Sequence, residues 1–296
     1  MTANISYCGR FAPSPTGLLH AGSLTTALGS YLEARSRGGR WLLRIEDLDE
    51  QRTLPGAADE ILRVLEGLGF EWDGAVVYQR QRHALYRAAL DELIRQGRVY
   101  ACSCSRKEVR AMALQGVDGM IYPGHCREAR LVPGRRLAWR LRVDDQPLGF
   151  VDRLQGPFQQ CLQREIGDFV LLRADGCWAY QLAVVVDDAE QGVNDVVRGA
   201  DLLVSTPRQI ALARALGLPV PAYCHLPLLQ NQAGEKLSKQ TLAPMISGQN
   251  VLEELLLAMD RLGHRPERPP GSPAEFWSWA LSHWRLSRVP VGPILL

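Results

Sequence analysis

The chain predicts an α/β fold: a parallel sheet with crossover helices, interrupted by a separate cysteine-bearing module and closed by a short helical tail. Three observations carry this expectation. Short apolar runs alternate with amphipathic segments across residues 5–96, the pattern of strands joined by helices. From residue 97 to 168 the pattern changes, and cysteines, glycines and prolines cluster. Alternation then resumes, and after residue 240 no strand pattern returns. The expected divisions are 1–96, a module at 97–168, a second half of the α/β domain at 169–240, and a tail at 241–296.

The elements follow from local pattern. Residues 6–11 are short and mostly apolar and read as a buried strand. Pro13, Pro15 and Gly17 break regular structure. From Ala21 on, Leu24, Ala27, Leu28, Tyr31 and Leu32 recur at helical spacing. Residues 41–45 read as a strand ending at Glu46, and 56–68 and 82–96 as helices. Within the module, 135–143 and 149–154 read as strands. Further strands are expected at 169–173 and 195–198, and a helix at 207–216. The apolar run 181–186 fits helix or strand equally. A short helix after Lys239, a proline-rich linker at 265–273 and an aromatic-rich helix at 276–286 packed on the body complete the chain.

Strand, tight loop and helix in this order suit a phosphate. A helix N-terminus offers unpaired N–H groups and a positive dipole end. His20 adds an imidazole there, Gly22 permits close backbone approach, and Ser23 follows in the first turn. Alone, such a tripeptide is an ordinary helix start. It gains meaning from a second stretch more than two hundred residues later. The chain has only three lysines, Lys107, Lys236 and Lys239, and two of them share one loop beside Gly234. Elsewhere, Lys107 apart, the chain uses arginine. A lysine is a point charge on a flexible stem, suited to following a phosphate as it moves.

Composition sets the limits. At 296 residues the chain can build a large core, and its charged fraction of 22% is ordinary for a globular protein. A net charge of +2 permits a nucleic-acid partner without requiring one. The start lacks the basic and apolar regions of a signal peptide, and no apolar run reaches membrane-spanning length. A cytoplasmic protein without membrane contact is expected. Seven cysteines in such a chain argue against a disulfide framework. Cys102, Cys104 and Cys126 form the one cluster, and a Cys-x-Cys pair with a nearby third cysteine suits zinc. The fourth ligand falls among His125, Tyr122 and water; imidazole is the commoner choice, but adjacent His125 and Cys126 converge awkwardly on one ion. Cys8, Cys161, Cys177 and Cys224 are expected in the core.

Over about its first 245 residues the chain resembles the glutamyl and glutaminyl branch of the class I aminoacyl-tRNA synthetases. The resemblance rests on Gly9-Arg10-Phe11-Ala12-Pro13-Ser14-Pro15-Thr16-Gly17, His20-Ala21-Gly22, Arg44-Ile45-Glu46-Asp47-Leu48-Asp49, Tyr180-Gln181-Leu182-Ala183, Val197-Arg198-Gly199-Ala200-Asp201-Leu202-Leu203 and Lys236-Leu237-Ser238-Lys239. The last departs from the family's KMSKS at Leu237 and Gln240. The resemblance implies a Rossmann-like catalytic core that binds ATP through His20, Gly22, Ser23, Lys236 and Lys239, with His20 and the two lysines catalytic. It implies a zinc site in the module, with Tyr122 joining Cys102, Cys104 and Cys126. In particular the chain resembles the short paralogues that lack an anticodon-binding domain, since only 57 residues follow Lys239.

What the resemblance implies chemically is activation of L-glutamate by ATP with Mg²⁺, independent of tRNA. The expected acceptor is queuosine at the wobble position of the tRNA(Asp) anticodon arm. Arg10 and Arg198 can each clamp a carboxylate, Glu46 can hold the ammonium, and Tyr180 can donate to the side-chain carboxylate, with Ser14 in the same loop. One structural zinc and a monomer complete the expectation. Arg106, Arg110, Arg127, Arg130, Arg135 and Arg136 near the cysteines are candidates for RNA backbone contacts. Two other readings compete: a truncated glutamyl-tRNA synthetase charging a tRNA 3′ end, and a nucleotidyltransferase or idle RNA-binding module. The last has no need of Arg10, Glu46, Tyr180 and Arg198 as a set.

Overall fold

The apolar strand at the start of the chain opens a parallel sheet. The computed structural model describes residues 6–128, 131–231, 246 and 248–295; the lysine loop with Lys236 and Lys239 lies outside them. Strand β1 (Cys8–Phe11) leads through the proline loop into α1 (Ala21–Arg35) and on to β2 (Arg40–Ile45), which pairs parallel with β1. Helix α2 (Ala57–Gly67) buries Ile61, Val64 and Leu65, one face at helical spacing, before β3 (Val77–Tyr78) joins β2 in parallel. Helix α3 (His83–Arg95) follows.

The middle of the chain builds a second body. Strand β4 (Val99–Cys102), helix α4 (Arg106–Met112) and the hairpin β5 (Leu114–Gly116) and β6 (Gly119–Ile121) lead to the third cluster cysteine. Strand β7 (Ala138–Leu141) pairs antiparallel with β4 and with β10 (Val170–Leu172). The strand expected at 135–143 is therefore only its central four residues. Between β7 and β10 come the hairpin β8 (Pro147–Asp152) and β9 (Gly156–Cys161) and the single turn α5 (Leu162–Glu165). This hairpin is not part of the cluster of Cys102, Cys104 and Cys126. Leu148 and Phe150 lie against the cluster of Cys8, Leu42, Val196 and Tyr223, on the parallel sheet.

The ambiguous apolar run is helix α6 (Tyr180–Glu190). Its Leu182, Ala183 and Val186 share one core with Tyr86, Leu90 and Leu93 of α3 and with Leu141 and Leu171 of the antiparallel sheet. Strand β11 (Asp195–Gly199) then enters beside β1: the Asn194 N–H reaches the Cys8 carbonyl at 3.0 Å and the Cys8 N–H reaches the Asn194 side chain at 2.8 Å. Helix α7 (Thr206–Ala215), with Pro207 in its first turn, connects to β12 (Ala222–Leu226), parallel to β11. The pairings run β3, β2, β1 in one sheet and β11, β12 in another, with β11 set beside β1.

Strand β13 (Leu229–Gln230) pairs parallel with the terminal β14 (Ile294–Leu295). Helices α8 (Val251–Arg261) and α9 (Pro273–His283) close over α1, so Leu255, Met259 and Phe276 share the core of Leu24, Leu28, Leu32 and Trp41. Gly29 lets α1 lie close on β12, because a Cβ there would meet Leu226 Cδ1 at 2.6 Å. The Trp284 indole N–H donates to buried Glu33 of α1 at 2.7 Å, which ties the tail to the sheet domain. No helix among the described residues is long and apolar enough to cross a membrane.

Candidate active site

Between β1 and β11 the chain reverses its progress across the sheet: β1 continues outward through α1 to β2, and β11 continues the other way through α7 to β12. Ligands in open parallel sheets bind in the crevice at the carboxyl ends of strands at such a switch point. A cavity of about 870 Å³ opens there. Arg10, Ser14, His20, Gly22, Ser23, Glu46, Tyr180 and Arg198 all line it. The structure thus brings together every described residue that the sequence singled out for amino acid and nucleotide.

The floor of this cavity is a buried charge network. Arg10 is 3% exposed. Its Nε donates to Asp188 Oδ1 at 3.1 Å and its Nη2 to Asp188 Oδ2 at 3.3 Å, so Nη1 carries neither bond. The expected free fork of Arg10 is therefore half used within the protein, because a buried cation needs a partner before any ligand arrives. Asp188 also accepts from Arg44 Nη1 at 2.7 Å, and Arg44 Nη2 donates to Glu46 Oε1 at 3.3 Å. Asp188 is buried, yet Arg10 and Arg44 hold its carboxyl below the usual carboxylate range. Glu46 goes the other way: burial pushes it up against the pull of Arg44 and Arg10. Burial and the Glu46 charge push the Tyr180 phenol up, so it remains a hydrogen-bond donor.

Behind these residues, Asp187 accepts from Gln79 Nε2 at 2.7 Å, the Tyr86 hydroxyl at 2.8 Å and Arg82 Nε at 2.6 Å. Neither aspartate is picked out by sequence reasoning, and Arg44 enters it only as the first residue of a motif. The available signal was two adjacent acids after the apolar Val184-Val185-Val186, which a buried helix tolerates only if they are paired. Arg198, 4% exposed, is held by Gln209, Thr206 and His225, which the sequence reading also missed.

On the other wall, the proline loop is pinned to the exit of β2 by the Glu46 N–H on the Pro13 carbonyl at 3.0 Å. His20 is the N-cap of α1, and its ring lies over Ser23: Nδ1 accepts the Ser23 N–H at 3.2 Å and Nε2 is 3.0 Å from Ser23 Oγ. The imidazole thus sits at the helix N-terminus as expected, but turned onto the helix itself. An anion entering this end meets the dipole and Ser23 beside it.

The cysteine cluster is a separate site. The three sulfurs of Cys102, Cys104 and Cys126 lie within 4.8 Å of one another. A tetrahedral zinc with Zn–S of about 2.3 Å sets sulfurs about 3.8 Å apart, which this spacing fits. The Tyr122 hydroxyl lies 3.3 Å from the Cys102 sulfur and 3.5 Å from that of Cys104, and accepts the Cys126 N–H at 3.0 Å. His125 is exposed and outside the group. Of the donors left open by sequence, the geometry brings in Tyr122. Gly167 matters here because its φ is +72° and a Cβ would strike the Tyr122 backbone. Burial pushes the Cys104 thiol up to about 11; at Cys126, hydrogen bonds from Tyr122 and Cys104 outweigh burial and hold the thiol down at about 7.

Of the other cysteines, Cys8 and Cys224 are buried as expected, but Cys161 and Cys177 are only half-buried. Cys161 lies on the β9 edge beside Asp145 and Cys177 lines the cavity, so neither is a core residue. Two of the arginines proposed for RNA are engaged internally. Arg127 forks onto Asp168 at 2.6 and 2.5 Å, and Arg135 pairs with Glu108 at 2.7 Å. Arg106, Arg110 and Arg136 are exposed; Arg130 lies outside the described residues.

The sequence model of the tRNA synthetases class I (E and Q), catalytic domain, matches residues 8–268. With the switch-point cavity and its lining, this makes the class plain: the chain belongs to the class I tRNA synthetases of the E and Q type, and is a ligase. Within that class it is 65% identical to the glutamyl-Q tRNA(Asp) synthetase of Chromobacterium violaceum, over 99% of each chain. It is 57% identical to the protein of that name from Neisseria meningitidis serogroup C, over 96% of this chain and 97% of that one. Among solved structures it is similar to a glutamate-tRNA synthetase from Elizabethkingia anophelis, with a TM-score of 0.81 and 25% identity. A glutamate tRNA ligase from Elizabethkingia meningosepticum, in complex with its amino acid, gives the same values. This chain aligns over 98% of its length with 68% and 67% of those longer chains.

Proposed function

We propose that this protein activates L-glutamate with ATP, without help from tRNA, and transfers it to queuosine at the wobble position of tRNA(Asp). The observation that carries the first half is the convergence of Arg10, Glu46, Tyr180, Arg198 and the His20 helix end on one cavity. The second half is supported by end-to-end similarity to proteins named glutamyl-Q tRNA(Asp) synthetase.

In this reading Glu46 takes the substrate ammonium, and Arg10 and Arg198 take the carboxylates. Tyr180 donates to the side-chain carboxylate, and Ser14 borders the amino acid. ATP lies along the proline loop with its phosphates at His20, Gly22 and Ser23. The α-carboxylate attacks the α-phosphorus, a new O–P bond forms, and the bond to the β-phosphate oxygen breaks with that oxygen keeping the electron pair. No covalent enzyme intermediate is needed, so catalysis is positioning and charge neutralisation. Lys236 and Lys239, with the Mg²⁺ that accompanies ATP, neutralise the developing charge. An acceptor hydroxyl then attacks the acyl carbon and AMP leaves, giving an ester.

Cys102, Cys104, Tyr122 and Cys126 would hold a zinc ion, whose contribution would be structural, joining β4 to the loop after β6. The catalytic domain comprises residues 1–96 and 169–240, with the module at 97–168 and the tail at 241–296. The enzyme works as a cytoplasmic monomer.

The test uses labelled glutamate with queuosine-containing tRNA(Asp), queuosine-free tRNA(Asp) and tRNA(Glu). Label on the queuosine-containing RNA alone, retained after periodate oxidation of the 3′ end under conditions that spare the modified base, is the expected outcome. Label on the 3′ end of tRNA(Glu) overturns it in favour of a short glutamyl-tRNA synthetase.

A further inference from the structure

A guanidinium has five N–H donors in a rigid plane and no acceptor, so its aim is set by the acceptors around it. For Arg198 these are His225 Nε2 at 3.0 Å, Gln209 Oε1 at 2.8 Å, Thr206 Oγ1 at 2.9 Å and the Leu202 carbonyl at 3.4 Å. All four are uncharged groups. The Tyr223 ring lies under the guanidinium at 5.3 Å. Arg10, by contrast, is forked onto a carboxylate. Arg198 is thus aimed by neutral partners and keeps its charge for the ligand.

One of those partners is held from behind. Arg198 Nε can only donate, so His225 Nε2 must accept, and the ring proton must lie on Nδ1. There it donates to Asp152 Oδ2 at 2.6 Å. Asp152 Oδ1 is fixed in turn by the backbone N–H groups of His225 at 3.1 Å, Leu154 at 3.0 Å and Gln155 at 2.9 Å. Asp152 is 2% exposed and His225 is 0% exposed, and neither lines the cavity. Burial favours the neutral ring in His225, and the carboxyl of Asp152, despite burial, is held low by His225.

We infer that Asp152 and His225 are positioning residues for substrate recognition: Asp152, from the β8–β9 hairpin, fixes the tautomer of His225, and His225 aims Arg198 at a carboxylate of the amino acid. This rests on the reading that Arg198 binds glutamate. It gives the hairpin inserted between β7 and β10 a role at a site it does not touch.

The decisive variant is Asp152→Asn. Three backbone donors hold the amide oxygen in the Oδ1 position, which turns the NH₂ toward His225 Nδ1. The ring must then carry its proton on Nε2, donor against donor at Arg198. In glutamate-dependent ATP–pyrophosphate exchange we expect the glutamate KM to rise at least about tenfold, with the ATP KM within about twofold of the parent. His225→Asn, which shortens the side chain so that it no longer reaches Arg198, should do the same and stands in should Asp152→Asn not fold. The double variant Asp152→Asn, His225→Gln should recover most of the glutamate KM, because the Gln oxygen accepts from Arg198 without a tautomer to fix. A pair that only ties the hairpin to β12 lowers the melting temperature, leaves glutamate KM unchanged, and is not rescued; that outcome overturns the inference. Arg198→Gln separates the two ideas. If it leaves glutamate KM unchanged, the underlying reading fails. If it raises KM while neither Asp152→Asn nor His225→Asn does, only the positioning inference fails.

Discussion

The crevice at β1 and β11 and the cysteine cluster are both buried groups of polar side chains, but they are held together differently. In the crevice, Arg10, Arg44, Asp187 and Asp188 neutralise one another, and uncharged side chains hold Arg198. In the cluster, three thiols and a phenol have chiefly one another, at 3.3 to 3.5 Å, as weak hydrogen-bond partners. The first set is organised by opposite charge within the chain and is ready before a ligand arrives. The second is three soft thiols and one phenol at the spacing of a zinc site. The crevice is held by the polypeptide's own charges, whereas the cluster has only weak internal bonds, so a change in one need not disturb the other.

The largest expected effect comes from breaking the charge network. Asp188→Asn leaves two buried guanidiniums short of a carboxylate, and losing one member of a buried ion pair costs about 3–5 kcal/mol. The denaturant midpoint should fall accordingly. A loss within about 0.5 kcal/mol, the range of an ordinary surface substitution, shows that the network is not mutually supporting. Next is Cys126→Ser, or a chelator. Protein purified without chelator should carry about one zinc per chain. Its removal should expose residues 103–128 to protease, while tRNA-free exchange keeps at least about a third of its rate. If exchange collapses with the metal, the two regions are one cooperative unit and the comparison fails.

A smaller effect is expected at the lysine loop. Lys239→Ala should slow adenylate formation about tenfold, the loss of about 1.4 kcal/mol of transition-state contact, with little change in glutamate KM. Unchanged kinetics reduce the loop to a surface turn. Least of all, Arg95→Ala removes an exposed partner of Glu92 on α3 and should leave the melting temperature unmoved. A clear drop there means that surface pairs carry more of the stability than the buried network implies.

Much of this site was legible locally. Arg10, Glu46 and His20 stand where a strand ends or a helix begins, and those boundaries follow from prolines, glycine and apolar spacing. Tyr180 opens α6, although periodicity left that segment undecided. What supports these residues was not legible. Asp188 meets Arg10 and Arg44 across 178 and 144 residues of sequence, and His225 meets Asp152 across 73. Strand β12, only five residues long and containing a histidine, gives no apolar alternation to find. The β8–β9 hairpin was expected in the module because it is adjacent in sequence, whereas Phe150 packs on Tyr223 of the sheet domain at 5.8 Å. Local pattern reports element ends; which charges meet is decided by tertiary closure.

The central claim is that the crevice is complete for glutamate without RNA. Exchange of labelled pyrophosphate into ATP, measured with purified protein and no tRNA, tests it most directly. The account predicts robust exchange with glutamate and far weaker exchange with glutamine, whose amide leaves a buried guanidinium without its carboxylate. Exchange that strictly requires tRNA, or that is equal with glutamine, contradicts it.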